Sequence, residues 1–302
     1  MNGILPLWKP RGMTSHDCVF KLRKLLRTKK VGHTGTLDPE VSGVLPICIG
    51  RATKIAEYIT SAGKTYEGEV TLGSSTTTED AWGEVVETKL VEKPIERTTV
   101  QEILNSLTGE ITQTPPMYSA VKVNGKRLYE YARKGIEVER PSRKVHIHEL
   151  ELLDDWTTLE GEHPHFSFRV SCSKGTYVRT LAVEIGKRLG YPAHMSSLTR
   201  TKSASFTQAD CFTLEQVGEY VQSERAEELL YPLESGLSHL PKMVISDTLA
   251  EKVKNGARLQ EPEDWPKGSE VVMEHESRAI AIYQCHPDKP EVIKPVKVLF
   301  ND

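Results

Sequence analysis

Between a basic stretch, Lys21 to Lys30, and an unbroken apolar run, Val44 to Ile49, the chain reads Val31-Gly32-His33-Thr34-Gly35-Thr36-Leu37-Asp38-Pro39. Glycine and Asp-Pro steps favour turns and disfavour a continued helix. The apolar run after them reads as a buried strand. The fold must therefore place a single carboxylate, Asp38, in a glycine- and threonine-rich loop between a cationic segment and a core strand. A carboxylate beside a cationic run points to an enzyme that holds a polyanion and does chemistry with one Asp. Asp before Pro in such a loop is equally a plain turn pattern, so the loop alone leaves both readings open.

The charge distribution bears on the polyanion. The net charge is -3, which is unlike a nucleic-acid binder, but the average hides a split. Residues 1–60 carry ten Lys and Arg against four Asp and Glu, and residues 113–143 carry seven against three. Residues 204–245 carry two against seven, and 246–302 eight against eleven. A basic front and an acidic back fit one face turned to a polyanion; chance clustering on solvated faces is the plainer alternative. The five cysteines (Cys18, Cys48, Cys172, Cys211, Cys285) are odd in number and include no C-x-x-C pair. That argues for reduced thiols in a cytoplasm and against zinc or a disulfide frame. No apolar run approaches the roughly 18 residues of a membrane span, and Lys9-Pro10-Arg11-Gly12 breaks the apolar start before a signal peptide could form. A length of 302 residues suits about two domains.

Along the chain, residues 4–8 read as a strand, and Thr14 to Asp17 offers caps for a helix through about Leu26. Gly50 to Lys54 opens a second helix. Lys64 to Gly73 alternates as a strand, and a further strand follows the polar stretch Ser74 to Gly83. Val100 to Leu107 reads as a helix closed by Gly109. Residues 113–143 read as an excursion from a core sheet, with an Asn124-Gly125 hairpin turn and a short cationic helix, Leu128 to Arg133. Phe166 to Ser171 is a strand by alternation, Val178 to Leu189 a helix stopped by Gly190, and Leu214 to Val221 and Arg225 to Leu230 are helical. From about Val244 the pattern becomes short strands and turns: Ser269–Met273, Ala279–Tyr283 and Val296–Phe300.

The Asp38 loop continues through Glu40-Val41-Ser42-Gly43-Val44-Leu45-Pro46, and the whole window resembles the signature of the TruB-type tRNA pseudouridine synthases. His33 to Pro39 matches that family's catalytic loop residue for residue. Val41 departs from it, since many relatives carry a small residue there. Ser173-Lys174-Gly175-Thr176-Tyr177-Val178-Arg179-Thr180-Leu181 resembles a second family motif, Lys64-Thr65-Tyr66 a third, and Lys9 to Ser15 the first, a loop that supports the active site. Taken singly, Arg179 is an ordinary surface charge near a helix start and Tyr66 a half-buried strand tyrosine.

The resemblance implies a reaction that breaks the N1–C1′ glycosidic bond of uridine, turns the base and rejoins it through C5. No redox step or net hydrolysis occurs, so no cofactor is demanded. Asp38 would act as nucleophile or stabilise charge at the sugar. Arg179 would pair with it and keep it ionised. Tyr66 would stack on the extruded uracil and move a proton, and Tyr177 would lie in the base pocket. His33 would wedge into the RNA loop, Lys54 would help fix the pocket, Leu198 would pack by the base, and Lys9 would serve the substrate side of the site. The family more often has Arg where Thr199 stands. Metal ligation is not expected, because no second His or Cys lies at ligand spacing from His33.

The implied fold is a mixed α/β (α+β) catalytic domain with a central mixed sheet over residues 1–240, including an RNA-gripping insert at about 113–143. A small PUA-like β-barrel would follow over 244–302. The implied substrate is the T arm of tRNA, with uridine-55 flipped from its loop, acted on in the cytoplasm by a monomer without an obligatory protein partner or a membrane. Two rivals stand beside it: a guide-RNA-dependent synthase of the dyskerin type, and a non-enzymatic RNA-binding or RNA-folding protein that keeps the fold. Length and the insert favour the stand-alone bacterial type. Pure binding has no need of Asp38, Tyr66, Tyr177 and Arg179 together. An aspartyl-phosphate enzyme would want further carboxylates for Mg²⁺ near Asp38, where only Glu40 is offered.

Overall fold

In the computed structural model, which describes residues 1–300, the first expected helix spans Ser15–Leu25. Thr14 and Asp17 cap it reciprocally: the Asp17 N–H donates to the Thr14 hydroxyl at 3.0 Å, and the Thr14 N–H donates to the Asp17 carboxylate at 2.9 Å. Cys18, Val19 and Leu22 form its buried face.

Contact density divides the chain into two units, one of residues 1–39, 44–62 and 203 onward, the other of residues 40–43 and 63–202.

In the first unit, strand Val31–His33 pairs antiparallel with the strand Ser42–Ile49 through Val31↔Ile49, Gly32↔Cys48 and His33↔Ile47. Gly3–Lys9 flanks it on the other side. The tail is a five-stranded sheet in the order Lys242–Val244, Val271–His275, Arg278–Cys285, Val292–Val298, Leu259–Gln260. Strand Arg278–Cys285 is apolar on both faces. Ile280, Ala281 and Tyr283 pack with Ala250, Val253 and Trp265, while Ala279 and Ile282 pack with Ile4, Val44, Ile55 and Leu237. Each such buried aliphatic contributes about 1.5–3 kcal/mol. A helix, Asp247–Lys254, sits in this tail, which the sequence reading took as strands and turns alone.

The second unit is built on five strands in the order Ala193–Ser203, Lys64–Leu72, His165–Cys172, Arg143–Leu152, Gly109–Gln113. Ser42 and Gly43 add a parallel pairing to it, through Thr199↔Ser42 and Arg200↔Gly43, whereas Lys64–Leu72 and His165–Cys172 run antiparallel. The sheet is therefore mixed. Alternation is clean where it matters: Lys64, Tyr66, Val70 and Leu72 are buried on one strand, and Phe166, Phe168, Val170 and Cys172 on its neighbour. Helices Arg97–Ser106 and Val178–Leu189 pack on this sheet. Gly190, at φ 85°, ends the second of them in the left-handed conformation.

Gly43 is a point of close backbone approach. Its φ is +125°, and a Cβ there would lie 2.2 Å from the Arg200 carbonyl oxygen and 2.7 Å from its nitrogen. Both obstacles are backbone and cannot rotate away. Gly43→Ala is expected to cost about 3 kcal/mol of stability, read as a lower midpoint in urea; a midpoint equal to that of the wild type would contradict the close approach.

The insert forms as expected. Lys122–Val123 and Lys126–Arg127 pair around Asn124 and Gly125, both at positive φ, and helix Leu128–Ala132 follows. Arg127 and Arg133 both lie over the Tyr129 ring, at 5.8 and 5.2 Å from its centroid, so this ring holds cations in place.

Candidate active site

The loop that carries Asp38 is tied down on both sides of the carboxylate. The buried Thr34 donates its hydroxyl to the Pro46 carbonyl at 2.9 Å. Leu37 is held by Ser15, whose hydroxyl accepts the Leu37 N–H at 2.9 Å and donates to its carbonyl at 3.3 Å. The Pro39 carbonyl accepts from the Gly12 N–H at 2.9 Å and from the Lys9 ammonium at 3.1 Å. Asp38 thus sits between two anchored residues with its side chain partly exposed. The backbone on either side of the carboxylate is therefore fixed in place.

Lys9 explains much of this, and in a way the sequence did not predict. It is fully buried, and its Nζ also donates to the carbonyls of Pro10 at 2.8 Å and Met13 at 2.6 Å. Three carbonyls supply the hydrogen bonds that a buried ammonium needs. The structure places Lys9 beneath the loop, on no surface open to a substrate. Lys54 differs too: its Nζ donates to the Val298 and Leu299 carbonyls at 2.9 and 3.3 Å, which ties it to the end of the tail. His33 ends its short strand opposite Ile47, partly buried.

In the second unit the structure brings Tyr66 and Leu198 to one patch. Tyr66 pairs with Val170 across the strands and is 8% exposed. Two residues on, a Cβ at Gly68 would meet Phe168 at 2.9 Å and Leu198 at 3.0 Å. Leu198 therefore covers the same sheet face that Tyr66 occupies. Tyr177, which caps helix Val178–Leu189, is clamped by Gln113: the Tyr177 N–H donates to Gln113 Oε1 at 2.9 Å, and Gln113 Nε2 donates to the Tyr177 carbonyl at 3.1 Å. One face of its ring is covered by the Arg143 guanidinium, 4.7 Å from the centroid.

Arg179, the second residue of that helix, is buried. Its Nη1 donates to the Thr78 carbonyl and its Nη2 to the Tyr118 carbonyl, each at 2.9 Å, and Nη1 lies 3.7 Å from Asp80 Oδ2. The adjacent Thr180 hydroxyl donates to Glu79 at 2.6 Å. Glu79 stands at φ +64°, an unusual conformation for a non-glycine residue, on a turn pressed against Met195. Burial pushes its carboxyl up, while the Thr180 hydrogen bond and the charges of Arg179 and Arg140 oppose that. Sequence reasoning treated residues 74–83 as a polar connection and missed Glu79 and Asp80. The paired acids among threonines, Thr76-Thr77-Thr78-Glu79-Asp80, were the available signal. Gln113 left no such signal.

Lys64, two residues before Tyr66 on the same buried face, was also passed over. Burial, with the charge of Arg200 nearby, pushes its ammonium from the ordinary 10.5 down to about 8. The unfolded chain keeps that proton up to about 10.5, so between those values the unfolded state binds more protons and stability rises with pH. Cys172, its cross-strand partner, has the opposite sign: burial pushes the thiol from 9.0 up to about 11, which lowers stability above about pH 9. The Lys64 effect is therefore isolated between about pH 8 and 9. Lys64→Met is expected to flatten the rise of unfolding free energy across that window; an unchanged slope would contradict the assignment.

Among the described residues, no three of His, Cys, Asp and Glu come together in a way that could hold a metal ion. No helix is long and apolar enough to cross a membrane.

The fold, with its central mixed sheet, recurs in solved structures. One, titled "Crystal Structure of a Cbf5-Nop10-Gar1 Complex", superimposes with a TM-score of 0.77 and 29% identity over 99% of this chain and 85% of that one. A second, "Structure of H/ACA RNP bound to a substrate RNA containing 2'-deoxyuridine", gives 0.73 and 26% over 99% and 85%. The family model "TruB family pseudouridylate synthase (N terminal domain)" matches residues 23–178, and "tRNA pseudouridylate synthase B C-terminal domain" matches 179–238. The chain belongs to the TruB family of pseudouridylate synthases. Its relatives include proteins named tRNA pseudouridine synthase B from Bacillus anthracis, 59% identical over 100% of this chain and 98% of that protein, and from Geobacillus thermodenitrificans, 60% identical over 99% of each.

Proposed function

We propose that this protein is an isomerase that converts a uridine of tRNA to pseudouridine, at position 55 in the T loop, with Asp38 as the nucleophile. The observation that carries the reading is the anchoring of Asp38 between Leu37 and Pro39, in a chain whose relatives named tRNA pseudouridine synthase B match it from end to end. Asp38 attacks or stabilises charge, and Arg179 supplies the compensating positive charge. Tyr66 stacks on the extruded base and moves the proton released from C5. Tyr177 and Leu198 line the base, and His33 fills the space the base leaves. Lys9 acts by holding the loop. The reaction has no redox step and no net hydrolysis, so no cofactor enters it.

Residues 1–240 are taken as the catalytic domain and 244–302 as a PUA-like RNA-binding domain. The protein works in the cytoplasm as a monomer, with no obligatory protein partner. Tritium release from transcript tRNA labelled at C5 of uridine tests the reading. One equivalent per tRNA is expected, and none from a transcript with cytidine at position 55. Release that survives the cytidine substitution would move the site elsewhere, and no release from either would contradict the activity.

The exposed cations of the insert, Lys122, Lys126, Arg127, Arg133 and Lys134, together with Lys21 to Lys30, are proposed to track phosphates. Each neutralised phosphate steepens the salt dependence by close to one unit of log–log slope. A slope of about −4 or steeper is expected for tRNA affinity; a flat response would contradict this electrostatic grip.

A further inference from the structure

The chain has four tryptophans, at 8, 82, 156 and 265. Three are buried or half-buried, whereas Trp82 is 49% exposed. It sits on the turn between two paired strands, Ser74–Thr76 and Val85–Thr88. That turn is held closely. The Thr76 hydroxyl donates to the Asp80 carbonyl at 2.6 Å, the Ala81 N–H to the Met195 carbonyl at 3.0 Å, the Thr77 N–H to the Glu84 carbonyl at 2.9 Å, and the Trp82 N–H to Asp80 Oδ1 at 3.1 Å. Gly83 leaves no slack, since a Cβ there would lie 2.4 Å from the Thr78 hydroxyl and 2.7 Å from the Thr78 nitrogen. The indole is thus presented outward on a rigid support, which spares the ordering cost of a contact made there.

Two observations say what would cover it. Asp80 links the turn to the proposed catalytic apparatus: one carboxylate oxygen takes the Trp82 N–H, and the other lies 3.7 Å from Arg179 Nη1. The second is charge. On the hairpin that carries Trp82, residues 74–88, there is no Lys or Arg, and the acids Glu84 and Glu87 are exposed. A phosphate is repelled by such a surface, whereas the face of a nucleobase carries no net charge and stacks on an aromatic ring. On the strand that follows, Val85 and Val86 are also exposed, at 64% and 66%.

We propose that Trp82 is a stacking platform for an unpaired base of the substrate RNA, in the loop that holds the target uridine. This rests on the reading of the protein as a tRNA pseudouridine synthase. Extruding one base strips its neighbours of a stacking partner, and the indole, on a turn whose Asp80 also meets Arg179, replaces it.

The test compares wild type, Trp82→Phe and Trp82→Ala by tritium release and by tRNA titration with tryptophan emission as readout. Trp82→Ala is expected to raise both KM and the tRNA dissociation constant about tenfold, within the range for loss of one base–aromatic stack, with kcat within about twofold. Trp82→Phe should keep wild-type affinity but lose the quenching that tRNA causes in the wild type. Wild-type affinity in Trp82→Ala, equal impairment of both variants, or quenching that persists in Trp82→Phe would each overturn the proposal. Unchanged affinity with an altered oligomeric state in Trp82→Ala would give the face to a second copy of the chain and overturn it as well. If the wild type released no tritium yet showed quenching lost in Trp82→Phe, the isomerase reading would fail and the stacking would stand.

Discussion

Asp38→Asn is expected to abolish conversion of uridine in tRNA, by at least about four orders of magnitude, while tRNA affinity stays within a few fold. Asn has the shape of Asp but neither its charge nor its nucleophilicity, so only the chemical step is removed. The loop is held on both sides of Asp38 through its backbone. Ser15 holds the backbone of Leu37, and Gly12 and Lys9 hold the carbonyl of Pro39. The loop geometry should therefore survive the substitution, and thermal unfolding should barely move. Single-turnover conversion and equilibrium binding on the same preparation separate the two effects. Turnover within tenfold of wild type would remove Asp38 from the chemistry. A parallel loss of binding and melting temperature would show instead that the variant damages the loop.

Arg179→Met should be the most damaging change in the second unit. The guanidinium closes the hydrogen bonds of the Thr78 and Tyr118 carbonyls and compensates Asp80, while the neighbouring Glu79 already has its carboxyl pushed up by burial. Methionine fills the volume but leaves those acceptors and that carboxylate without it. Removing one partner of a buried charged cluster costs about 3–5 kcal/mol. Activity should fall by at least about a thousandfold, as the role proposed for the Arg179 charge requires. Arg179→Lys restores the charge without the fork of donors and should recover stability more than turnover. A melting temperature and turnover equal to wild type in Arg179→Met would contradict both roles.

Elements with a local signature were readable in advance. Thr14 and Asp17 mark the start of helix Ser15–Leu25, Gly190 marks the end of Val178–Leu189, and Asn124-Gly125 marks the insert hairpin. The strand Lys64–Leu72 alternates without a break. Strand Ala193–Ser203 was not readable, although it lies beside Lys64–Leu72 in the sheet. Its inward positions include Arg200 and Ser203, both fully buried, so polar residues occupy places where alternation expects apolar ones. Helix Asp247–Lys254 was hidden for a related reason, since it buries only Ala250 and Val253. The candidate site divides in the same way. The Asp38 loop declares itself through its own residues. The supports act across long separations, as with Lys9 to Pro39, Gln113 to Tyr177 and Arg179 to Thr78. Backbone carbonyls do half of that work, and they leave no mark on the identity of the residues that carry them.

Mapping pseudouridine by carbodiimide block and primer extension, on unmodified tRNA transcript incubated with the protein alone, tests the central claim most directly. The account predicts one stop, reporting the T-loop uridine at position 55, present with wild type and absent with Asp38→Asn. No stop with wild type despite tight tRNA binding, or the same stop with Asp38→Asn, would contradict it.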